Sequence, residues 1–157
     1  MATQKVIKSQ KTEVFWASAP TAATRAVCVS SIVGLGGPRS QIPTTCLDDD
    51  EDETFVGGLG SPGQVTLAFN VHKSELSHEA LLALKASGAE VSWGVYSSGA
   101  TAPTAVDSEM QVAVGRVSAI FLGYVSDVSV EIGANDIWKG TVIVQRSGPI
   151  SWDLQTA

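Results

Sequence analysis

The chain has 157 residues, a length typical of one domain rather than two, so we expect a single domain over residues 1–157. Ten basic and sixteen acidic residues give a formal charge of −6, which disfavours a surface that binds nucleic acid by neutralising its phosphates. Hydrophobic residues make up 44% of the chain, yet no apolar run approaches the roughly 18 residues that cross a bilayer, which indicates a soluble folded protein. The first residues lack the apolar core of a secretory signal, so we expect synthesis in a cytoplasm.

The first third of the chain has the least regular pattern. Residues 1–23 show no clean period and end in Ala-Pro-Thr-Ala-Ala, which predicts a flexible N-terminal arm. Alternating apolar residues predict a strand at residues 25–35, with Cys28 as a small buried side chain. Residues 36–63 open with Gly-Gly-Pro, carry six consecutive acids from Asp48 to Glu53, and close with a glycine-rich run. They predict a long loop with little structure of its own, of the kind that is functional or orders on a partner.

The rest of the chain shows the period of two that is typical of strands with one buried face. This alternation predicts strands at residues 64–71, 90–96, 110–125, 128–132 and 138–146. The apolar phase changes within residues 110–125, so we expect a bulge or bend near Gly115 and Arg116. Pro149 cannot donate to a ladder, which predicts that the last strand stops before it and that residues 149–157 form a C-terminal tail.

One segment departs from the β pattern. Residues 77–87 predict a short helix with Ser77 as its N-cap, Leu76 packed on Leu81, and Gly88 as a left-handed stop. A helix this short is unstable alone in water, so it must pack on the sheet. The predicted fold is mostly β (α+β), a β-sandwich or open barrel with one flanking α-helix, a long loop and a flexible N-terminal arm.

The sequence holds no motif that points to an enzyme, a cofactor or a metal site. The consecutive acids lack the spaced Asp-x-Asp-x-Asp-Gly pattern that wraps an ion, so we interpret them as a solvated or partner-facing loop. His72 and His78 lack a third ligand and are interpreted as surface or capping residues. The four tryptophans could form a sugar-stacking platform, although large aromatic residues in strands more often belong to a core or an interface.

Several segments, taken in order, resemble the major tail tube proteins of long-tailed, lambda-like siphovirus bacteriophages. They lie within residues 25–148 and are residues 42–49 (IPTTCLDD), residues 55–63 (FVGGLGSPG) before a strand and the helix, residues 121–126 (FLGYVS) and residues 142–148 (VIVQRSG). The resemblance implies a structural virion protein with the phage tail tube fold. Six copies would form a hexamer ring whose inner strands join into one barrel, and self-assembly of stacked rings would make the tail tube for DNA ejection.

The resemblance also implies the partners. They are further copies of the chain, the tape-measure protein, and the tail terminator and tail-tip proteins, while DNA transits the lumen without specific binding. The protein would be made in the bacterial host cytoplasm and located in the virion tail, without membrane insertion. In that family the long loop and the terminal arms contact other subunits, which makes these residues candidates for the assembly loop: Cys46, Leu47, Asp48, Asp49, Asp50, Glu51, Asp52, Glu53, Phe55, Leu59 and Pro62.

Two alternatives remain open at this stage. The tube subunit of a contractile secretion system would share the architecture, and a monomeric β-sandwich carbohydrate-binding module would account for the tryptophans. If the tube assignment holds, the net charge of −6 predicts an acidic lumen that repels DNA phosphates, although the sequence does not assign the acids that would line it.

Overall fold

The computed structural model describes residues 6–48 and 52–154 and is built mainly of strands. In chain order the elements are β1 (Glu13–Ala19), β2 (Ala22–Ala26), β3 (Val29–Val33), β4 (Arg39–Pro43), β5 (Phe55–Gly60), β6 (Gln64–Asn70), α1 (Leu76–Ser87), β7 (Glu90–Tyr96), β8 (Ala105–Val106), β9 (Glu109–Met110), β10 (Ser118–Glu131) and β11 (Lys139–Asp153). In the described ranges, no helix has the length and apolar character needed to cross a membrane.

Seven strands form one antiparallel sheet in the order β2-β1-β7-β10-β11-β6-β3. The two outermost strands, β2 and β3, are consecutive in the chain and only Val27 and Cys28 separate them. A flat sheet would hold these strands roughly 29 Å apart, whereas three peptide steps reach about 11 Å. The sheet must therefore curl until these two strands come within that distance at the link, although they do not pair, which confirms the predicted open barrel.

The interior of the barrel is filled by one apolar cluster to which most strands of the sheet contribute. Val65, Leu67 and Phe69 of β6 point into it, as the alternation of residues 64–71 predicted. Trp16 and Trp93 lie on the neighbouring strands β1 and β7, with ring centroids 5.6 Å apart. These two tryptophans are core residues, so the four tryptophans do not form a common sugar-stacking platform.

Helix α1 packs on this cluster through Leu81. Its N-cap is Glu75, whose side chain accepts a hydrogen bond from the N–H of Ser77, so the prediction of Ser77 as the cap is wrong. Leu76 is exposed, and its predicted packing on Leu81 is also wrong. Gly88 has φ 65° and its N–H donates to a carbonyl of the last turn, which confirms the predicted stop.

His78 is buried, so its interpretation as a surface or capping residue is wrong. Its Nδ1 accepts the backbone N–H of His72 at 3.3 Å, and its Nε2 lies 3.0 Å from the carbonyl oxygen of Val27. Because a carbonyl can only accept, Nε2 donates this hydrogen bond. His78 thereby ties the start of α1 to the link between β2 and β3, at the point where the barrel closes.

A second cluster covers the outer face of β1 and β7, where residues 97–117 cross the sheet. Tyr96 lies in this cluster and donates to the carbonyl oxygen of Gln111 at 2.6 Å, and burial raises the pKa of Tyr96 to about 12. Arg116 fastens the segment by donating to the carbonyl oxygens of Ser97 and Thr101 at 2.7 and 3.0 Å. Residues 111–117 thus belong to this cover and not to the sheet. The chain bends at Gly115 and Arg116, as expected, but the strand of the sheet begins at Ser118 and not at residue 110.

Two predictions for the N-terminal part are corrected by the structure. The predicted arm at residues 1–23 is wrong from Glu13 onward, because β1 lies between β2 and β7 and its Val14 and Trp16 are buried. The predicted strand at residues 25–35 is divided between β2 and β3. Cys28 in the link has φ 59° and is exposed rather than buried.

The long strands β10 and β11 also differ from the prediction. Residues 128–132 do not form a separate strand, because β10 continues through a bulge between Val125 and Asp127. β11 passes Pro149: the register steps from Leu122–Ser147 to Ile120–Ser151, which leaves residues 148–150 in a bulge. A proline in a bulge needs no ladder hydrogen bond, so the predicted stop and the tail are wrong for residues 149–153. Residues 1–5 and 155–157 lie outside the described part of the chain.

Two adjacent leucines of α1 provide a matched test of how the helix packs. Leu81 is 1% exposed in the core, and Leu82, one position further along the helix, is 52% exposed. We expect Leu81→Ala to lower the free energy of unfolding by about 2–5 kcal/mol, since it leaves a cavity, and Leu82→Ala to lower it by less than about 1 kcal/mol. Urea unfolding of dilute protein measures both. Equal losses in the two variants would contradict the packing.

Candidate assembly surfaces

Residues 36–63 form a β-hairpin, not the loop without structure that the sequence predicted. β4 and β5 pair from Arg39 and Gly60 at the base to Pro43 and Phe55 at the far end. The pairing extends into the turn, where the N–H of Thr44 donates to the carbonyl oxygen of Thr54 at 2.8 Å. Among the described residues these strands pair only with each other, so the hairpin is an arm attached to the barrel.

The hairpin exposes large apolar side chains. Ile42 and Val56 are directly opposite each other across the ladder, and each is more than half exposed. Leu59 is 87% exposed, while Phe55 is about half exposed. Apolar patches of this kind are uncommon on monomeric proteins and mark surfaces that a partner covers. The hairpin therefore has the composition of a contact surface.

The structure distributes the predicted assembly residues along this hairpin. Phe55 and Leu59 lie on β5, and Pro62 follows that strand beside the barrel. The turn at the far end holds the exposed residues Cys46, Leu47, Asp48, Asp52 and Glu53. Asp49, Asp50 and Glu51 lie outside the described residues. Because one chain shows no contact with another copy, the assembly role of all these residues stays a prediction.

The barrel carries a second candidate surface that the sequence did not indicate. On the side of β10 that faces β7, only residues 118–124 are paired. Residues 125–131 therefore have an edge with no strand beside it in the described structure. β3 leaves a second open edge, because its ladder partner is β6 alone. Four adjacent strand segments, from β10, β11, β6 and β3, thus form a group with an open edge along each side. Open edges present unpaired N–H and C=O groups to another chain.

The outward face of these four strands is mostly polar, and its charged residues Glu131 and Lys139 lie opposite each other in the row at one end. Register and alternation align Gln145 with Gln64 in one row. The next two rows align Ile143 with Thr66 and Val33, and Thr141 with Ala68 and Ser31. Asp127 of β10 lies opposite Ile143 at the bulge, but it forms an ion pair of 3.0 Å with Lys85 of α1. Sequence reasoning missed this surface because an open edge is a property of strand order, not of local pattern.

No cluster of three or more His, Cys, Asp or Glu side chains able to hold a metal ion occurs in residues 6–48 and 52–154. Asp48, Asp52 and Glu53 form no ion pair with any other described residue. These carboxylates can therefore interact with water or with another molecule. The arrangement therefore supports contacts with another molecule through apolar side chains, strand edges and charged groups.

Sequence comparisons match the chain to a phage tail tube family and to a phage structural protein. Residues 5–156 match the family model described as phage tail tube, TTP, lambda-like. Structural protein 3 of Pseudomonas phage PAJU2 is 32% identical over 155 residues, which cover 94% of both chains.

Solved structures show the same fold at low sequence identity. The SPP1 tail tube superposes with a TM-score of 0.67 at 10% identity, covering 96% of this chain and 82% of that one. The tube-terminating cap of the anti-feeding prophage has a TM-score of 0.69 at 13% identity and covers 100% and 95%. The sheath–tube complex of the extracellular contractile injection system PVC has a TM-score of 0.66 at 10% identity and covers 99% and 95%. These likenesses confirm the fold, which tubes of both kinds share.

Proposed function

Because the chain belongs to the lambda-like family of phage tail tube proteins, we propose that it polymerises as stacked hexameric rings into the tail tube through which DNA is ejected. The protein is a structural component of the virion. The fold alone does not separate a siphovirus tail from a contractile injection system, since both give similar superpositions. The sequence family does separate them, because the matching model covers residues 5–156.

The two open edges are the observation that most strongly supports assembly into a ring. In a ring, β3 of one subunit lies beside residues 125–131 of β10 in its neighbour, and the four strand segments of each copy become part of one closed barrel. This pairing removes the open edges of β3 and of residues 125–131, and it satisfies the backbone groups that a single copy leaves unpaired there. The mostly polar face of these strands would then line the lumen.

A lumen of this kind modifies the expectation of acidic walls. The rows formed by β11, β6 and β3 offer glutamine, threonine, serine and alanine to passing DNA, with few apolar residues among them. The cation of the end row, Lys139, is already paired with Asp136 at 3.0 Å, and the overall charge of −6 adds weak repulsion. DNA would pass because the wall binds its phosphates only weakly.

The hairpin of β4 and β5 is suited to contacts between rings. It extends from the barrel and carries Ile42, Val56 and Leu59 with their apolar surfaces exposed. Covering such side chains contributes about 25 cal/mol for each Å² removed from water. The same contact, repeated around a ring of six copies, would hold successive rings together even if each hairpin alone bound weakly.

The remaining parts of the proposal follow from the family. The whole chain acts as one tail tube domain without enzymatic activity. It is made in the cytoplasm of the bacterial host, assembles around a tape-measure protein, and meets terminator and tip proteins at the two ends of the tube. Similar structures include a tube-terminating cap and a sheath/tube terminator, which supports the terminator as a partner.

Deleting Asp48–Glu53 tests the hairpin. The hydrogen bonds between Thr44 and Thr54 close the ladder before the deleted residues, so we expect the subunit to fold normally. Polymerisation should be lost, because the far end of the hairpin no longer reaches the next ring. Circular dichroism and urea unfolding check the fold, and electron microscopy checks for tubes. Tubes of normal length from a folded deletion variant would show that this segment is not needed.

Lysines on the proposed lumen face test its role in DNA passage. Thr66→Lys together with Thr141→Lys should leave tubes intact and lower infectivity, because DNA phosphates would bind the added ammonium groups. Thr21→Lys with Thr101→Lys is the matched control, since both threonines are exposed and lie away from this face. Complementation of a phage that lacks the gene measures infectivity and ejection. Normal infectivity of the first variant would refute the lumen assignment.

A further inference from the structure

A cleft of about 490 Å³ lies where the base of the hairpin meets the barrel. Its walls come from the glycine-rich ends of the hairpin and from the bulge of β11, and they include Gly37, Arg39, Arg146, Pro149 and Trp152. Two arginines therefore border one cleft. None of the ion pairs among the described residues involves either arginine.

Arg146 is the unusual member of this pair, because it is only 5% exposed. Its Nη2 donates to the carbonyl oxygen of Gly36, while its Nε has no hydrogen-bond partner. A buried cation is costly unless it is paired, and guanidinium groups prefer the two-pronged geometry of a carboxylate. The cleft thus presents a buried positive charge with an unused donor.

The glycines around Arg146 keep the space for its guanidinium group. A Cβ at Gly37 would lie 2.8 Å from Nη2 of Arg146 and 2.5 Å from the carbonyl oxygen of Ser61. Any side chain at this position would displace the arginine or the hairpin base. The second arginine, Arg39, is exposed at the start of β4, where it adds charge to the entrance.

We propose that this cleft, here called the Arg146 cleft, binds carboxylates from the hairpin turn of a second copy of the chain. The carboxylates of the turn include those of Asp48, Asp52 and Glu53, which are exposed and unpaired within the described chain. The proposal rests on the tube function, because it takes another subunit as the source of these acids.

The hairpin geometry favours a second copy over the same chain. The ladder pairs Arg39–Gly60 and Pro43–Phe55 are four residues apart on β4, which places the turn roughly 13 Å or more from the base. The acids and the cleft thus lie at opposite ends of one hairpin. A contact between unlike ends is head-to-tail, and such contacts propagate into stacked assemblies, whereas a two-fold contact stops at a dimer.

A peptide experiment tests the cleft separately from tube formation. The receptor is the full chain with the acids of residues 48–53 changed to their amides, so that it cannot supply its own ligand. The probe is a synthetic peptide of residues 44–55 with serine in place of Cys46, and the control peptide carries amides instead of acids. We expect the acidic peptide to bind and to shift the NMR signal of the Arg146 Nε–H, which contacts no acceptor in the single chain.

Substitutions in the receptor identify the binding groups. Arg146→Met should weaken peptide binding at least about tenfold, because hydrogen bonds to a charged group contribute free energy of that size. Arg39→Gln, which leaves the buried arginine in place, should weaken it severalfold. Lys73→Gln is the matched control, since it removes one exposed charge elsewhere and should change nothing. Thermal unfolding shows whether Arg146→Met retains its fold.

The outcomes separate the cleft from the tube. If both peptides bind equally, or if Arg39→Gln binds like Lys73→Gln, the Arg146 cleft is not a carboxylate site, while tubes of the unaltered protein would still support the function. If the unaltered protein forms no tubes but the acidic peptide binds as expected, the site stands and the function fails. Selective loss of binding in the arginine variants supports the proposal.

Discussion

The structure depends on how the backbone hydrogen bonds at the edges of one curled sheet are satisfied. The short link through Val27 and Cys28 brings β2 close to β3, yet β3 still has only β6 as a ladder partner. The sheet is therefore an open barrel with a second open edge along residues 125–131 of β10. Pairing these edges between copies converts an aggregation hazard into the bond that closes a ring. The link itself is held by buried His78, so folding of the subunit fixes the geometry of assembly.

The proposed assembly uses two kinds of contact, one within a ring and one between rings. Strand pairing is directional and sets how neighbours sit within a ring, while the exposed apolar residues of the hairpin contribute area between rings. The Arg146 cleft adds a charged contact that discriminates between orientations, because only one end of the hairpin carries the acids. Isolated charge pairs contribute little free energy, but a buried arginine with an unpaired Nε makes this contact stronger than a surface pair.

Much of the barrel could be predicted from the sequence, since burial on one face gives strands a period of two. That signal located β6 and the bounds of β7, and Gly88 marked the end of α1. It failed for β1, where Trp16 is followed by buried Ala17 and the alternation is too short to recognise. It also failed at Pro149, because a bulge removes the hydrogen bond that a proline cannot make. The hairpin has no buried face, so its strands carry no such pattern.

The proposed assembly surfaces also differ in how far the sequence alone reveals them. The acids of the hairpin turn are visible in the sequence as a run of like charge, and the tail tube resemblance identified the segment as a contact region. The sheet edges and the Arg146 cleft arise only from strand order and from glycines brought together by the fold. In the sequence Arg146 stands out only as part of a family-like segment, because a strand pattern does not show that a cation is buried without a partner.

Cryo-electron microscopy of the purified protein at high concentration would show directly whether the sheet edges pair between copies. We expect hollow tubes of stacked six-fold rings, in which β3 of each subunit is hydrogen-bonded to residues 125–131 of β10 in its neighbour. Tubes in which both of these edges face solvent, or particles that stay monomeric at every concentration and in the presence of preformed tail tips, would contradict this expectation.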